Sequence, residues 1–165
     1  VHDLGSEYLP QMHQLKQRLY LSNMQRHQLK SATKLIAVSK ATKDDLIKIG
    51  IDAAKVEVIY EGYNKDLFKP KKINTKVSSL SSYYLFVGTI QPRKNLERII
   101  KAVAKLKQKL VIVGAKGWMS DKIYKLGAQN KVKFLGDVPD EKLPALYSNA
   151  RALLFPSLFA NHLLE

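Results

Sequence analysis

Apolar residues gather in six short runs along the chain, at residues 35–38, 56–60, 83–87, 110–113, 132–135 and 152–155. Each run is apolar nearly throughout, the pattern of strands buried on both faces. Helical patterns lie between them. Leu96, Ile99, Ile100, Val103 and Ala104 fall on one face of a helix, and Asn95 just before them is the expected N-cap. Thr42 followed by Asp45 outlines a cap ahead of "DLIKIG", with Gly50 as the stop. Asp140 precedes a further short helix in "EKLPALY". From residue 83 onward, strand starts recur at the spacing of βαβ units. The expected fold class is therefore α/β, with parallel sheets and helices on both faces.

Two stretches break this alternation. Residues 10–34 read as one long basic helix with a modest stripe of Met12, Leu15 and Leu19. Such a helix packs on a sheet with its charged face solvated, or lies on a membrane surface. Residues 64–82 are polar, rich in Lys and Ser, and without period, as in a linker. The expected organisation is a first domain over 1–63, a linker over 64–82 and a second domain over 83–165. The first holds two strand runs and the second four, so both read as incomplete Rossmann-like domains.

Composition narrows the chemistry. With 45% hydrophobic residues among 165, the chain can bury a core. It has no cysteine, which excludes disulfides and thiolate metal sites. No apolar run approaches the roughly 20 residues that cross a bilayer, and "VHDLGSEYLP" has no basic-then-apolar leader pattern. The net charge of +14, from 28 Lys and Arg against 14 Asp and Glu, favours anionic partners. It does not choose among phosphorylated ligands, nucleic acid and acidic membrane.

Ligands of open parallel sheets bind at the carboxyl ends of the strands, which directs attention to the loops after Val87, Val113, Leu135 and Phe155. The first, in "YYLFVGTIQPRKN", carries Gly88, Arg93 and Lys94 ahead of a helix N-terminus. Glycine admits a ligand close to the backbone, and a helix start with adjacent cations suits a diphosphate. The second, "GAKGW", begins at Gly114, and the third, "GDVPD", at Gly136. No G-x-G-x-x-G or G-x-x-x-x-G-K-[ST] pattern occurs, which weakens dehydrogenase and P-loop readings. No D-x-D occurs, and His2, His13, His27 and His162 lack metal-ligand spacing, so no metal is expected.

The ordered series "AVSKATKDDLIKIG", "VEVIYEGYNKDLFKP", "YYLFVGTIQPRKNLERIIKAVAKL", "LVIVGAKGW" and "VKFLGDVPDEKLPALYSNARALLFPSLF" resembles the retaining glycosyltransferases of group 1, family 4, which have a GT-B fold. The "VGT-x-x-PRKN" variant is similar to mannosyltransferase-like members of polysaccharide assembly. The resemblance implies two Rossmann-like domains with the active site between them, and a nucleotide-sugar donor held mainly by the second. It implies that Lys94, with Arg93 beside it, neutralises the donor diphosphate, and that Gly88 lets the backbone approach the phosphates. Gly114 belongs to the same strand-end edge, and Gly136 to Val138 would meet the nucleoside. His2, in "VHDL", matches the histidine of the family that contacts the donor sugar near the reaction centre. No cofactor beyond the nucleotide-sugar substrate is implied. The implied acceptor is a glycan or lipid-linked sugar, and the implied setting cytoplasmic, with peripheral contact at the inner face of the membrane.

The sequence departs from the family pattern in two places. Thr89 stands where Arg often follows the glycine. After "FPSLF", Ala160 occupies the position of the first of two family glutamates, and Glu165 does not match the spacing of the second. The chain thus reads as a middle fragment, expected to be inactive by itself. The alternative from a different class is a basic, non-catalytic module for nucleic acid or anionic membrane. Because no nucleic-acid motif is present, nucleic acid is not an expected partner.

Overall fold

The computed structural model describes residues 1–8, 24–70 and 82–158. These form two compact units, one reaching to Gly62 and the other running from Tyr63 to Leu158.

In the first unit, β1 (Leu35–Ala37) and β2 (Val56–Val58) pair in parallel, with Leu35 opposite Val56 and Ala37 opposite Val58. Around them lie the short helix α1 (Gly5–Tyr8), helix α2 over residues 24–31 and α3 (Lys40–Lys48). Leu4, Leu29, Ala37, Leu46, Ile51 and Val56 make their shared core. The α3 helix begins earlier than the Thr42 and Asp45 pattern suggests. Ser39 is its N-cap, and the Ser39 hydroxyl accepts from the Thr42 N–H at 3.1 Å. Thr42 is left to donate its own hydroxyl to the His2 carbonyl. Gly50 ends the helix as expected, at a φ of +89° open to glycine. Of the long helix expected over 10–34, residues 24–31 are helical and 32–34 have left the helix. Residues 10–23 lie outside the described residues.

The second unit is built on a four-stranded parallel sheet: β3 (Tyr83–Val87), β4 (Lys109–Val113), β5 (Lys133–Gly136) and β6 (Ala150–Leu153), in the order β5-β4-β3-β6. Alternate residues feed two cores. Phe86, Leu110 and Ile112 pack under α4 (Leu96–Lys105) and α5 (Asp121–Gln129), with Ile99, Ile100, Val103 and Ile123. Tyr83, Leu85, Val111 and Val113 pack on the opposite face with Leu143 and Leu146 of α6 (Leu143–Asn149). Helices thus cover both faces. The α4 stripe of Leu96, Ile99, Ile100 and Val103 is buried as its spacing requires. Each such side chain stabilises by about 1.5–3 kcal/mol.

Burial on both faces holds for β3 and β4 and fails for β5 and β6, whose residues are half-buried or exposed at the sheet edges. The last strand also begins earlier than its apolar run. It covers residues 150–153, and Leu154 and Phe155 leave it after one final bond, from Leu154 N–H to the Leu85 carbonyl at 2.7 Å. The pairing with β6 thus ends at Leu85, two residues before β3 itself ends at Val87.

Tyr83 ties β3 to α6: its hydroxyl donates to the Leu146 carbonyl at 2.8 Å. Burial raises its phenol above the usual 10.0. Below pH 10 this contribution to stability is fully present. As pH rises through the higher folded value, the unfolded chain ionises first and stability is lost. Tyr83→Phe should cost about 1 kcal/mol at neutral pH. It should also lose less stability than the parent between about pH 9 and pH 11 in urea titrations. Equal alkaline losses in the two proteins would refute this.

Candidate functional site

The strand order follows the doubly wound pattern in which succession reverses beside the first strand. Here the reversal lies between β3, which is followed by β4 on one side, and β6 on the other. The loops after β3 and β6 leave the same edge of the sheet from adjacent strands.

The loop after β3 bends toward β4. Gly88 N–H donates to the Val113 carbonyl at 2.9 Å, Ile90 N–H to Ala115 at 3.0 Å, and Gly117 N–H returns to the Ile90 carbonyl at 3.0 Å. One strand further, Gly114 N–H donates to the Gly136 carbonyl at 2.7 Å. The glycines after β3, β4 and β5 therefore form a laterally bonded row. Gly114 is required by packing: a Cβ there would sit 2.1 Å from the Gly88 carbonyl oxygen, and its φ is +141°. Gly136, at φ +68°, has open space where a Cβ would lie. Val138 packs partly into the core beside Tyr83 and Val111.

After Ile90 the chain makes a 3-10 turn over Pro92–Lys94, and Asn95 then takes the left-handed conformation at φ +57°. Asn95 occupies the N-cap position as expected, but its side chain makes no cap bond. Its side-chain amide donates instead to the Pro156 carbonyl at 3.1 Å. Asn suits both tasks, because it tolerates left-handed backbone and has donors to spare. A second bond joins the loops, from Leu158 N–H to the Arg93 carbonyl at 2.9 Å. The Lys94 ammonium lies 4.8 Å from the centre of the Phe155 ring. Arg93 and Lys94 are both half-buried.

Among the described residues, two buried side-chain polar atoms lack a hydrogen-bond partner: Gln91 Oε1 and Ser157 Oγ. One lies in each of these two loops, and Gln91 is only 3% exposed. A buried acceptor without a donor costs about 1–3 kcal/mol.

The remaining candidates lie elsewhere. Lys116 of the second loop is exposed and engaged with Asp121 at 2.7 Å, which holds its ammonium above the usual 10.5. His2 belongs to the first unit. Its backbone is anchored by Thr42, and Nδ1 lies 2.9 Å from a carboxylate oxygen of Glu61. A carboxylate only accepts, so this contact assigns the proton to Nδ1. The structure thus gathers Gly88, Arg93, Lys94, Gly114 and Gly136 at one edge of the second unit, with Val138 in the adjoining core. Phe155, Asn95 and Glu61 were not among the expected residues. Their partners are remote in sequence; for Phe155 and Asn95 the strand order offers a signal, by setting the loops after β3 and β6 together, and for Glu61 there is none. Ala160 and Glu165, the expected departures from the carboxylate pair, lie outside the described residues.

Comparison with known proteins adds the family. The description "Glycosyl transferases group 1" matches residues 65–163, and "Glycosyltransferase Family 4" matches residues 1–67. The chain belongs to the group 1 glycosyl transferases. A group 1 relative, the O-antigen chain mannosyltransferase RfbU of Salmonella typhimurium, is 32% identical over 165 residues, which are 96% of this chain and 44% of that protein. Among solved structures, the sucrose-phosphate synthase of Thermosynechococcus elongatus aligns with a TM-score of 0.76 at 24% identity, over 99% of this chain and 45% of its own. Anabaena Alr3699/HepE, solved with UDP and glucose, aligns at 0.72 and 22% identity, over 98% of this chain and 46% of its own. The chain thus spans just under half the length of each of these three proteins. The expected α/β fold of GT-B type holds.

The glycine row gives a direct test within this group 1 fold. Gly114→Ala should destabilise the second unit by about 3 kcal/mol or more, from backbone overlap and strain together. Gly136→Ala, with strain alone, should cost about 1 kcal/mol. Denaturant unfolding measures both, and equal losses would contradict the packing role of Gly114.

Proposed function

We propose that this chain is part of a retaining glycosyltransferase that moves a sugar from a nucleotide-sugar donor to a glycan or lipid-linked acceptor in glycan biosynthesis. The observation that carries the reading is the edge between β3 and β6. Two half-buried cations and both unpartnered buried polar atoms of the described residues meet there, at the place where open parallel sheets take ligands. The family membership supports a sugar-transfer reaction. The UDP-bound neighbour supports a nucleoside diphosphate as the leaving group. The RfbU relative favours mannose as the sugar. Membership in the "VGT-x-x-PRKN" subgroup belongs to the same proposal and rests on the wording of residues 87–95.

The chemistry follows from charge. Breaking the bond between the anomeric carbon and the diphosphate leaves negative charge on the departing phosphate. Fixed cations stabilise that charge as it develops, with little reorganisation at the moment of reaction. Lys94 is the principal cation in this account and Arg93 the second. Gly88 presents backbone without a side chain in the way. His2 is the proposed contact to the donor sugar. With Nδ1 engaged by Glu61, Nε2 is the ring nitrogen left for a sugar hydroxyl. No metal is invoked.

Lys94→Ala should weaken UDP or GDP binding by roughly tenfold to a hundredfold, the loss of one charge-assisted phosphate contact. Lys116→Ala, which removes a neighbouring charge engaged with Asp121, should change it less than about twofold. Calorimetric titration of the full chain with each nucleotide reads both effects. An unchanged dissociation constant for Lys94→Ala overturns the assignment.

A further inference from the structure

We propose that Phe155 is a positioning residue that holds the Lys94 ammonium ready for the diphosphate; this rests on the reading of Lys94 given above. The ammonium stands 4.8 Å from the centre of the Phe155 ring. A lysine has four rotatable side-chain bonds, so its charge needs a second group to define its direction. The face of an aromatic ring carries negative quadrupole and attracts a cation within about 6 Å without neutralising it. The ring gives the ammonium direction without bringing a charge of its own.

The backbone around this contact is fixed on both sides. The Asn95 side-chain amide bonds the Pro156 carbonyl, and Leu158 N–H bonds the Arg93 carbonyl. Residues 93–95 and 155–158 are therefore tied together on both sides of the contact between Lys94 and Phe155. The left-handed turn at Asn95 sets the direction in which the chain leaves Lys94. Phe155 itself has just left β6 and is half-buried. Its ring thus performs a task that the sheet ladder does not require of it.

The test separates the ring's electrostatics from its bulk. Phe155→Leu keeps an apolar side chain and removes the quadrupole, and Phe155→Tyr keeps both. In titrations of the full chain with UDP, the Leu variant should bind roughly two- to fivefold more weakly, and the Tyr variant should match the parent. In the Lys94→Ala background, Phe155→Leu should have no further effect, because the ring acts through the ammonium. Thermal midpoints of all variants check folding. Equal loss in the Leu and Tyr variants, or no loss in either, overturns the proposal. So does an unchanged Leu effect without Lys94, because the ring would then act by packing. If Lys94→Ala alone leaves UDP binding unchanged, the Lys94 reading fails and the platform falls with it. If Lys94→Ala weakens binding and Phe155→Leu does not, only the platform fails.

Discussion

The carboxyl edge of the second unit depends on one backbone contact, the close approach of Gly88 and Gly114. The bond from Gly88 N–H to Val113 draws the chain after β3 toward β4. It is possible only because position 114 has no side chain to meet the Gly88 carbonyl. On the other side β6 pairs with β3 only as far as Leu85, although β3 runs on to Val87, and its chain then leaves the sheet. The freed segment, residues 154–158, then closes on the 3-10 turn that carries Arg93 and Lys94. The glycine contact and the bonds between the two loops together set the backbone that carries the two cations.

The physical character of the site follows. It combines backbone tied between two loops with a lysine ammonium set against an aromatic ring. The lysine of the next loop provides a contrast. Lys116 sits a few residues beyond its strand, as Lys94 does, but it is exposed and bonded to Asp121. Its charge is already answered, and solvent screens what is left. The unpartnered Gln91 and Ser157 atoms lie instead in the loops that carry Arg93, Lys94 and Phe155.

Much of this organisation is written in the sequence, and the failures are instructive. The runs at 83–87 and 110–113 and the stripe of α4 are nearly unambiguous, because a central strand and a packed helix each impose one period on their residues. The last strand misled because Leu153, Leu154 and Phe155 form one apolar run, although only Leu153 is in the strand. Apolarity cannot distinguish a residue in a ladder from one that has turned onto a neighbouring loop. Asn95 was placed correctly at the helix start, but its side-chain bond was not legible, because the partner is 61 positions away. Ser39 was hidden at the end of a strand run, although it caps the following helix. The glycine row and the two cations were visible as a pattern of loops. The ring that faces Lys94 was not, since it needs the order of the strands.

The central claim is that the edge between β3 and β6 is a cradle for a nucleoside diphosphate. Backbone amide NMR of the full chain during titration with UDP or GDP tests it most directly. The account predicts saturable shifts concentrated at Gly88, Arg93, Lys94 and the residues following β6. Saturable shifts centred elsewhere, or no saturable response at that edge, would contradict it.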